Sequence, residues 1–396
     1  MTATVERAKA LHEQMIAWRR DIHAHPELGF HETRTARIAA DHLRSLGMEV
    51  TVGAAKTGVV GLLGDAGPVI ALRADMDALP IPEANAVAYA SSTPGVMHAC
   101  GHDAHTAMLM GAATILAEMP NRPPGQIRFL FQPCEETNDA EGKSGGQRMV
   151  EEGYLDDVAH VVALHVDSDM QAGKIVTQQG YMTANVDNFY ATIIGRGTHG
   201  AHPDLGVDPI FLLGQVLSAL QGIVARRVDP TEPAVVTVGV VSAGLAGGEN
   251  VIPGEAKFSG TLRSYSSAVR EQLVRDVEAT LSLVRALGGD YALRVVRTCP
   301  STYNDPAVTM RVEQIARELF GPEVIAHREP SLGGEDFSYM TARAPGMMFN
   351  LGAKKDEVRR PHHNPLFDID ESVLPTGAAM LAESALRLLY DLERRR

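Results

Sequence analysis

The chain has 396 residues, 45% of them hydrophobic and 21% charged, which is ordinary for a globular protein and long enough for two buried cores. With 36 basic against 49 acidic residues the net charge is −13, which argues against nucleic acid or an anionic membrane as a partner. The cysteines, Cys100, Cys134 and Cys299, are too few and too odd in number for a disulfide framework, so a reducing compartment is the simplest home.

The first 50 residues are predicted to be helical. "ERAKALHEQMIAWRRDIHAH" has helical spacing and stops at Pro26, and "HETRTARIAADHLRSLG" ends on Gly47. The N-terminal stretch has no apolar signal region, and no window is read as long and apolar enough to span a membrane, so a soluble cytoplasmic protein is expected. The runs "TGVVGLLG" and "PVIALRADMD" are predicted buried strands. Residues 103–118 are predicted to form a helix with Asp103 as its N-cap. "QIRFLFQP" and "HVVALHV" (160–166) are two further strands, with a short helix in "GGQRMVEEG" between them.

From about 185 to 298 the pattern becomes a self-contained β-α-β-β-α-β unit, the ferredoxin-like order. Helix "DPAVTMRVEQIARELFG", strand "PGMMFNLGA" and a closing helix near 371–393 follow. The fold class expected is therefore α/β, with residues 1–184 and 299–396 forming one domain and 185–298 inserted into it.

In open α/β sheets ligands bind beyond the carboxyl ends of the strands. Asp75 and Asp77 follow one predicted strand, Cys134, Glu135 and Glu136 another, His165 stands at the end of a third, and the loop after the last strand reaches His362 and His363. "HACGHDAHTAM" places His98, Cys100, His102, Asp103 and His105 at a helix start. Singly each has a plain structural reading: Asp75 and Asp77 as turn caps, the paired glutamates as a solvated face or a helix start, and His98 and His105 as structural or as outer support for the metal ligands. Together they point to a metal. Of two adjacent carboxylates, one is suited to coordinate a cation and the other to take a proton from water. Cys, His and carboxylate ligands in this number exceed one tetrahedral site and suit two cations. Thiolate and imidazole favour zinc, and carboxylates keep manganese in play. The helix start is also expected to favour a thiolate at Cys100.

The motifs "HAHPELGFHETRTA", "ALRADMDALP", "MHACGHDAHTAMLMGAA", "FQPCEE", "GRGTHGAHP", "NVIPGEAKFSGTLRS", "GGEDFSYM" and "HHNPLFDIDE" resemble, in this order and over nearly the whole chain, the aminoacylase and carboxypeptidase-type dinuclear metallopeptidases. The branch is the amidohydrolases that include hippurate hydrolases, auxin-conjugate hydrolases and N-acyl-amino-acid deacetylases. The resemblance implies a metallopeptidase-type catalytic domain with a ferredoxin-like lid, and two divalent ions per subunit (Zn²⁺ or Mn²⁺, with Co²⁺ or Ni²⁺ as alternatives). It places the ligands on Cys100, His102, Glu136, His165 and His363 and the general base on Glu135. His363 is chosen over His362 because it precedes Asn364-Pro365. On the lid it places the transition-state histidine on His199 and substrate contacts on Asn250 and Arg263. The chain departs from the family at Cys134, where a small residue is usual, and at His362, where a Leu or similar is usual.

The activity this implies is hydrolysis of the amide of an N-acyl amino acid, a small-molecule substrate, by a homodimer joined through 185–298, or a tetramer built from it. Dipeptidase or carboxypeptidase-like cleavage is the alternative. A non-catalytic scaffold would not need Glu135 and five ligand-type residues, and a nucleotide-dependent oxidoreductase would need the GxGxxG that is missing after the first strand.

Overall fold

The computed structural model describes residues 2–394. It divides into two compact units, one comprising residues up to Met182 with Thr302–Pro330 and Asp336 onward, the other Thr183–Ser301 with Ser331–Glu335.

The larger unit is built on an eight-stranded mixed sheet. From one edge its strands are Glu49–Ala54, Gly58–Gly64, Gln126–Gln132, Val69–Asp75, Val158–Gln171, Gly346–Lys354, Ile175–Val176 and Ile325–Ala326. The four central strands, from Gln126–Gln132 to Gly346–Lys354, run parallel. Every residue of Val69–Asp75 is buried, as expected of a parallel strand with both faces covered. The His102–Ala117 helix is buried from His102 to Leu116, which explains why its sequence is apolar nearly all round. It packs against the helices Leu374–Glu393 and His12–Ala24, and Met15, Met108, Leu109, Ala378 and Leu381 belong to this core.

Several local expectations are corrected. The N-terminal helical stretch breaks at Leu11 into Ala3–Ala10 and His12–Ala24. The strand expected over 160–166 runs on to Gln171, because its parallel pairing with 346–354 continues past a register shift to Gln171 and Lys354. The N-cap of the 102–117 helix is Gly101, not Asp103, which lies inside the first turn.

The second unit has strand order Ala234–Ala243, Glu255–Ser264, Asn185–Ile194, Asp290–Cys299, with all pairings antiparallel. Helices Pro209–Arg226 and Ser267–Leu281 complete the β-α-β-β-α-β order of a ferredoxin-like fold. The first of them corrects another expectation. By length and composition the stretch Pro209–Arg227, with mean hydropathy 1.4, does meet the measure for a membrane span. Leu212, Val216, Leu220 and Ile223 instead pack with Phe189, Phe258 and Leu273 in this unit's own apolar cluster.

Candidate metal centre

The parallel strands of the larger unit end where its Cys, His and acidic side chains gather. Asp75 closes the 69–75 strand, Glu135 and Glu136 lie in the turn after 126–132, and His165 stands within 158–171. Cys100 and His102 flank Gly101, whose φ of +94° is accessible mainly to glycine. A Cβ at Gly101 would lie 2.3 Å from Val166 Cγ2, so the tight entry into the helix requires this residue. His363 comes from the loop after the 346–354 strand, with a φ of +59° and its N–H donated to Ala99 O at 2.8 Å.

Cys100, His102 and His165 present ligand atoms within 4.8 Å of one another, as do Cys100, Glu136 and His363, and His102, Glu135 and Glu136. Cys100 Sγ is 3.6 Å from His165 Nε2, and Glu136 Oε1 is 3.1 Å from His363 Nε2. His362 is also present, with Nδ1 3.7 Å from Cys100 Sγ, but it joins none of these groups.

The donor atoms fit a cation. His102 donates Nδ1–H to Asp77 O at 2.8 Å, which leaves Nε2 as its lone-pair nitrogen. That Nε2 is buried without a hydrogen-bond partner. His165 donates Nδ1–H to Val166 O at 2.7 Å, which likewise turns Nε2 toward Cys100. Fixing one ring nitrogen so that the other can ligate is the usual outer-shell arrangement of metal-binding histidines. Glu136 Oε1 is also buried and makes no well-formed hydrogen bond, despite the nearby His363.

Electrostatics agree. Burial, with Glu136, Glu135 and Asp75 nearby, pushes the Cys100 thiol well above its ordinary range. Without a metal, burial and the crowded carboxylates thus work against the thiolate that the helix start favours. Burial opposes a charge on His102, but Asp75, Asp77 and Glu136 together push it up to about 10. The acids around the cluster thus favour positive charge within it, which divalent ions would supply in place of the His102 proton.

Two residues beneath the site, read from the sequence as a turn cap and as a structural histidine, support the candidate ligands. Asp77 accepts the Glu135 N–H on Oδ1 and the Glu136 N–H on Oδ2, each at 3.0 Å, while Oδ1 also faces His102 Nδ1 at 3.2 Å. His105 donates Nδ1–H to Asp75 Oδ1 at 2.6 Å and accepts the Val166 N–H on Nε2 at 3.0 Å, next to His165. Asp75 is in turn held by Arg73 at 2.7 Å. The spacing Asp-x-Asp after a strand was the available signal; the partners were not local. His98 is buried with neither ring nitrogen partnered, and burial pushes it down to about 4.

A family model described as peptidase family M20/M25/M40 matches residues 71–387. The chain belongs to this family. It is 38% identical over 386 residues to an N-acetyl-L-cysteine deacetylase of Bacillus subtilis, covering 97% of this chain and 90% of the relative. It is 37% identical over 390 residues to thermostable carboxypeptidase 2 of Saccharolobus solfataricus, covering 97% of each. A solved dinuclear metal-binding M20 peptidase of Bacillus subtilis superposes with a TM-score of 0.82 at 33% identity, covering 96% of this chain and 99% of that one. This M20 protein is a metal-dependent hydrolase with an α/β fold.

The remaining sequence candidates lie on the second unit. His199 is exposed and pairs with Val251 across a short ladder, next to Asn250, whose carbonyl accepts the Gly200 N–H at 2.6 Å. His199 Nδ1 accepts the Ala201 N–H at 3.0 Å, which leaves the ring proton on Nε2. Arg263 is half-buried on the 255–264 strand, donating to Leu262 O at 3.2 Å and to Thr261 Oγ1.

Proposed function

We propose that this protein hydrolyses the amide bond of N-acyl amino acids, with Glu135 as general base. The observation that carries the reading is the pair Glu135–Glu136 on one turn, beside the unpartnered His102 Nε2. The deacetylase relative supports the substrate class. Cys100, His102, Glu136, His165 and His363 would hold two divalent ions, zinc or manganese by donor chemistry. Bound there, the ions would supply Lewis acidity, which polarises a carbonyl and lowers the pKa of water from ~15.7 to ~7.

The Glu135 carboxylate takes a proton from the attacking water, whose oxygen forms the new bond to the acyl carbon. When the C–N bond breaks, the same carboxyl returns that proton to the leaving amine nitrogen. His199, with its proton on Nε2, is suited to donate to the developing oxyanion. Arg263 is suited to grip the substrate carboxylate, where a guanidinium gives orientation as well as attraction. Asn250 would add a polar contact to the same substrate.

The carboxypeptidase relative favours a second reading, cleavage of a peptide bond by the same groups. Turnover of acetyl-, benzoyl- and glycyl-amino acids by protein of known metal content separates the two. Selective turnover of the glycyl substrate overturns the first, and full activity after chelation overturns both.

A homodimer through 185–298 completes the reading. Its support is the edge strand Ala234–Ala243, which exposes Val240 and Val241 at 60% and 51%. A cytoplasmic setting is supported by three cysteines that form no disulfide among the described residues.

A further inference from the structure

The motif "HPELGFHE" near the N-terminus takes no part in the proposed chemistry, yet two of its residues meet the turn that carries Glu135. Cys134, just before that glutamate, has a φ of +48°, a region sparsely populated by residues with a Cβ. Something must hold it there. Glu32 is fully buried, and its Oε1 accepts the Cys134 N–H at 2.8 Å. Its Oε2 accepts the Thr57 hydroxyl at 2.5 Å. On the far side, the Cys134 carbonyl accepts the Gly145 N–H at 2.9 Å. Gly29 makes room for the turn, since a Cβ there would lie 2.6 Å from Cys134 Sγ and 3.2 Å from its Cα.

The position of Glu32 makes this use notable in physical terms. It stands at the N-cap of the Thr33–Ser45 helix, where a polar side chain normally accepts the first free amides. It makes no such bond. Glu27 takes that duty instead, accepting the Arg34 and Thr35 N–H groups at 2.9 Å each. The Glu27 carbonyl accepts the Ala78 N–H at 2.8 Å, which ties the whole segment to the stretch bearing Asp77. Three successive amides, those of Cys134, Glu135 and Glu136, are thereby held by two buried carboxylates, Glu32 and Asp77.

We infer that Glu32 is a positioning residue: by holding the left-handed turn at Cys134 it sets the direction of the Glu135 carboxylate. The inference rests on Glu135 acting as the base, and acts through geometry, so an uncharged isostere should serve. In Glu32→Gln the amide oxygen still accepts the Cys134 N–H, and the amide nitrogen donates to Thr57 Oγ1. Glu32→Ala leaves the Cys134 N–H buried and unpaired.

The test uses full-length, metal-loaded protein, an N-acetyl amino acid as substrate, and hydrogen–deuterium exchange at the Cys134–Glu136 amides. Glu32→Ala is expected to lower kcat about 10-fold to 100-fold, the cost of leaving the buried Cys134 N–H without an acceptor, with KM and metal content held within about twofold. Exchange at the three amides should rise. Glu32→Gln should stay within about threefold of wild type in kcat and keep the amides protected. Should Glu32→Ala fail to fold, Thr57→Val removes only the hydroxyl that holds Oε2 and should lower kcat about fivefold to tenfold with faster exchange at Cys134. Wild-type kcat in the folded alanine variant, or in Thr57→Val where alanine does not fold, overturns the inference. So does unchanged exchange, or a glutamine variant as impaired as alanine. Loss of metal in Glu32→Ala also overturns it, because the turn would then serve ligation rather than the base. Glu135→Gln run alongside separates the two readings: full activity there refutes Glu135 as base, while the exchange data still judge the clamp.

Discussion

Asp77→Asn is the sharpest test of how the base and its neighbour are held. The wild-type carboxylate accepts two backbone amides at 3.0 Å, one on each oxygen, and is almost fully buried. Asparagine keeps the shape but turns one acceptor into an NH₂ that faces a backbone N–H. One charge-assisted hydrogen bond is lost and one buried donor is left unpaired, a cost of about 1.5–3 kcal/mol. If the turn relaxes to relieve it, Glu135 leaves its position, and the same energy expressed in the transition state is about a 10-fold to 150-fold loss of kcat. Metal content should persist, because the His102 tautomer is held mainly by the backbone carbonyl of Asp77 at 2.8 Å, which the substitution leaves in place. The assay pairs kcat on an N-acetyl amino acid with metal analysis of the same preparation. Wild-type kcat, or a metal loss that accounts in full for the missing activity, would refute this account.

Glu135→Gln should keep both metals and lose about 10²–10⁴ in rate, whereas Glu136→Gln should lose metal first; the reverse pattern exchanges their roles. His23, bonded to Asp103 at 2.8 Å and Glu83 at 3.2 Å, carries a pH dependence. Burial opposes its charge, but these two acids push it from 6.5 up to about 9. A folded-state value above the unfolded one means its stabilisation is complete below about pH 6.5 and is lost as pH rises through about 9. His23→Gln should therefore flatten the decline in denaturation midpoint across that window, and an equally steep decline in the variant counts against the assignment. Mixing inactive His199→Ala with inactive Glu135→Gln should restore part of the activity if His199 serves the partner's site; no recovery after confirmed subunit exchange places it in its own chain or removes its role.

The candidate residues could be picked out because Asp75 and Glu135 stand where buried apolar runs stop, which the sequence itself marks; His165 instead lies inside a strand that runs on to Gln171. The inserted β-α-β-β-α-β order was legible from periodicity, since each element carries its own pattern. What the sequence could not reveal was which group meets which. Asp77 looks like a turn cap, and only a chain reversal 58 residues later brings the Glu135 amide to it. Glu32 occupies a helix start, where a local reading assigns it to capping, yet its partner is 102 residues away. Asp103 was misread for the same reason: its carboxylate is engaged by Arg19 and His23 rather than by its own helix. At Cys100 the acids brought in from distant segments raise the thiol in the metal-free cluster, an effect that helix-start rules do not include. The apolar 209–226 helix shows that length and hydropathy alone do not tell a membrane span from a helix that covers a small sheet.

The guanidinium of Arg19 has one further consequence, and it concerns time. It is fully buried and meets Asp103 at 2.9 Å, Asp368 at 2.8 Å and Glu371 at 3.0 Å. Asp368 lies 349 residues further along the chain. At 5–20 residues per second, a ribosome needs roughly 20–70 s to deliver it. Until then the arginine has at most one of its acids, and burying it would leave an under-compensated charge, which is strongly unfavourable. The helix that begins at His102 is joined to Arg19 through Asp103, so the metal-binding end of that helix can settle only after the 368–371 segment has emerged. A product truncated before Asp368 should therefore bind metal poorly and be readily degraded, and a truncated chain that loads metal like the full one would count against this.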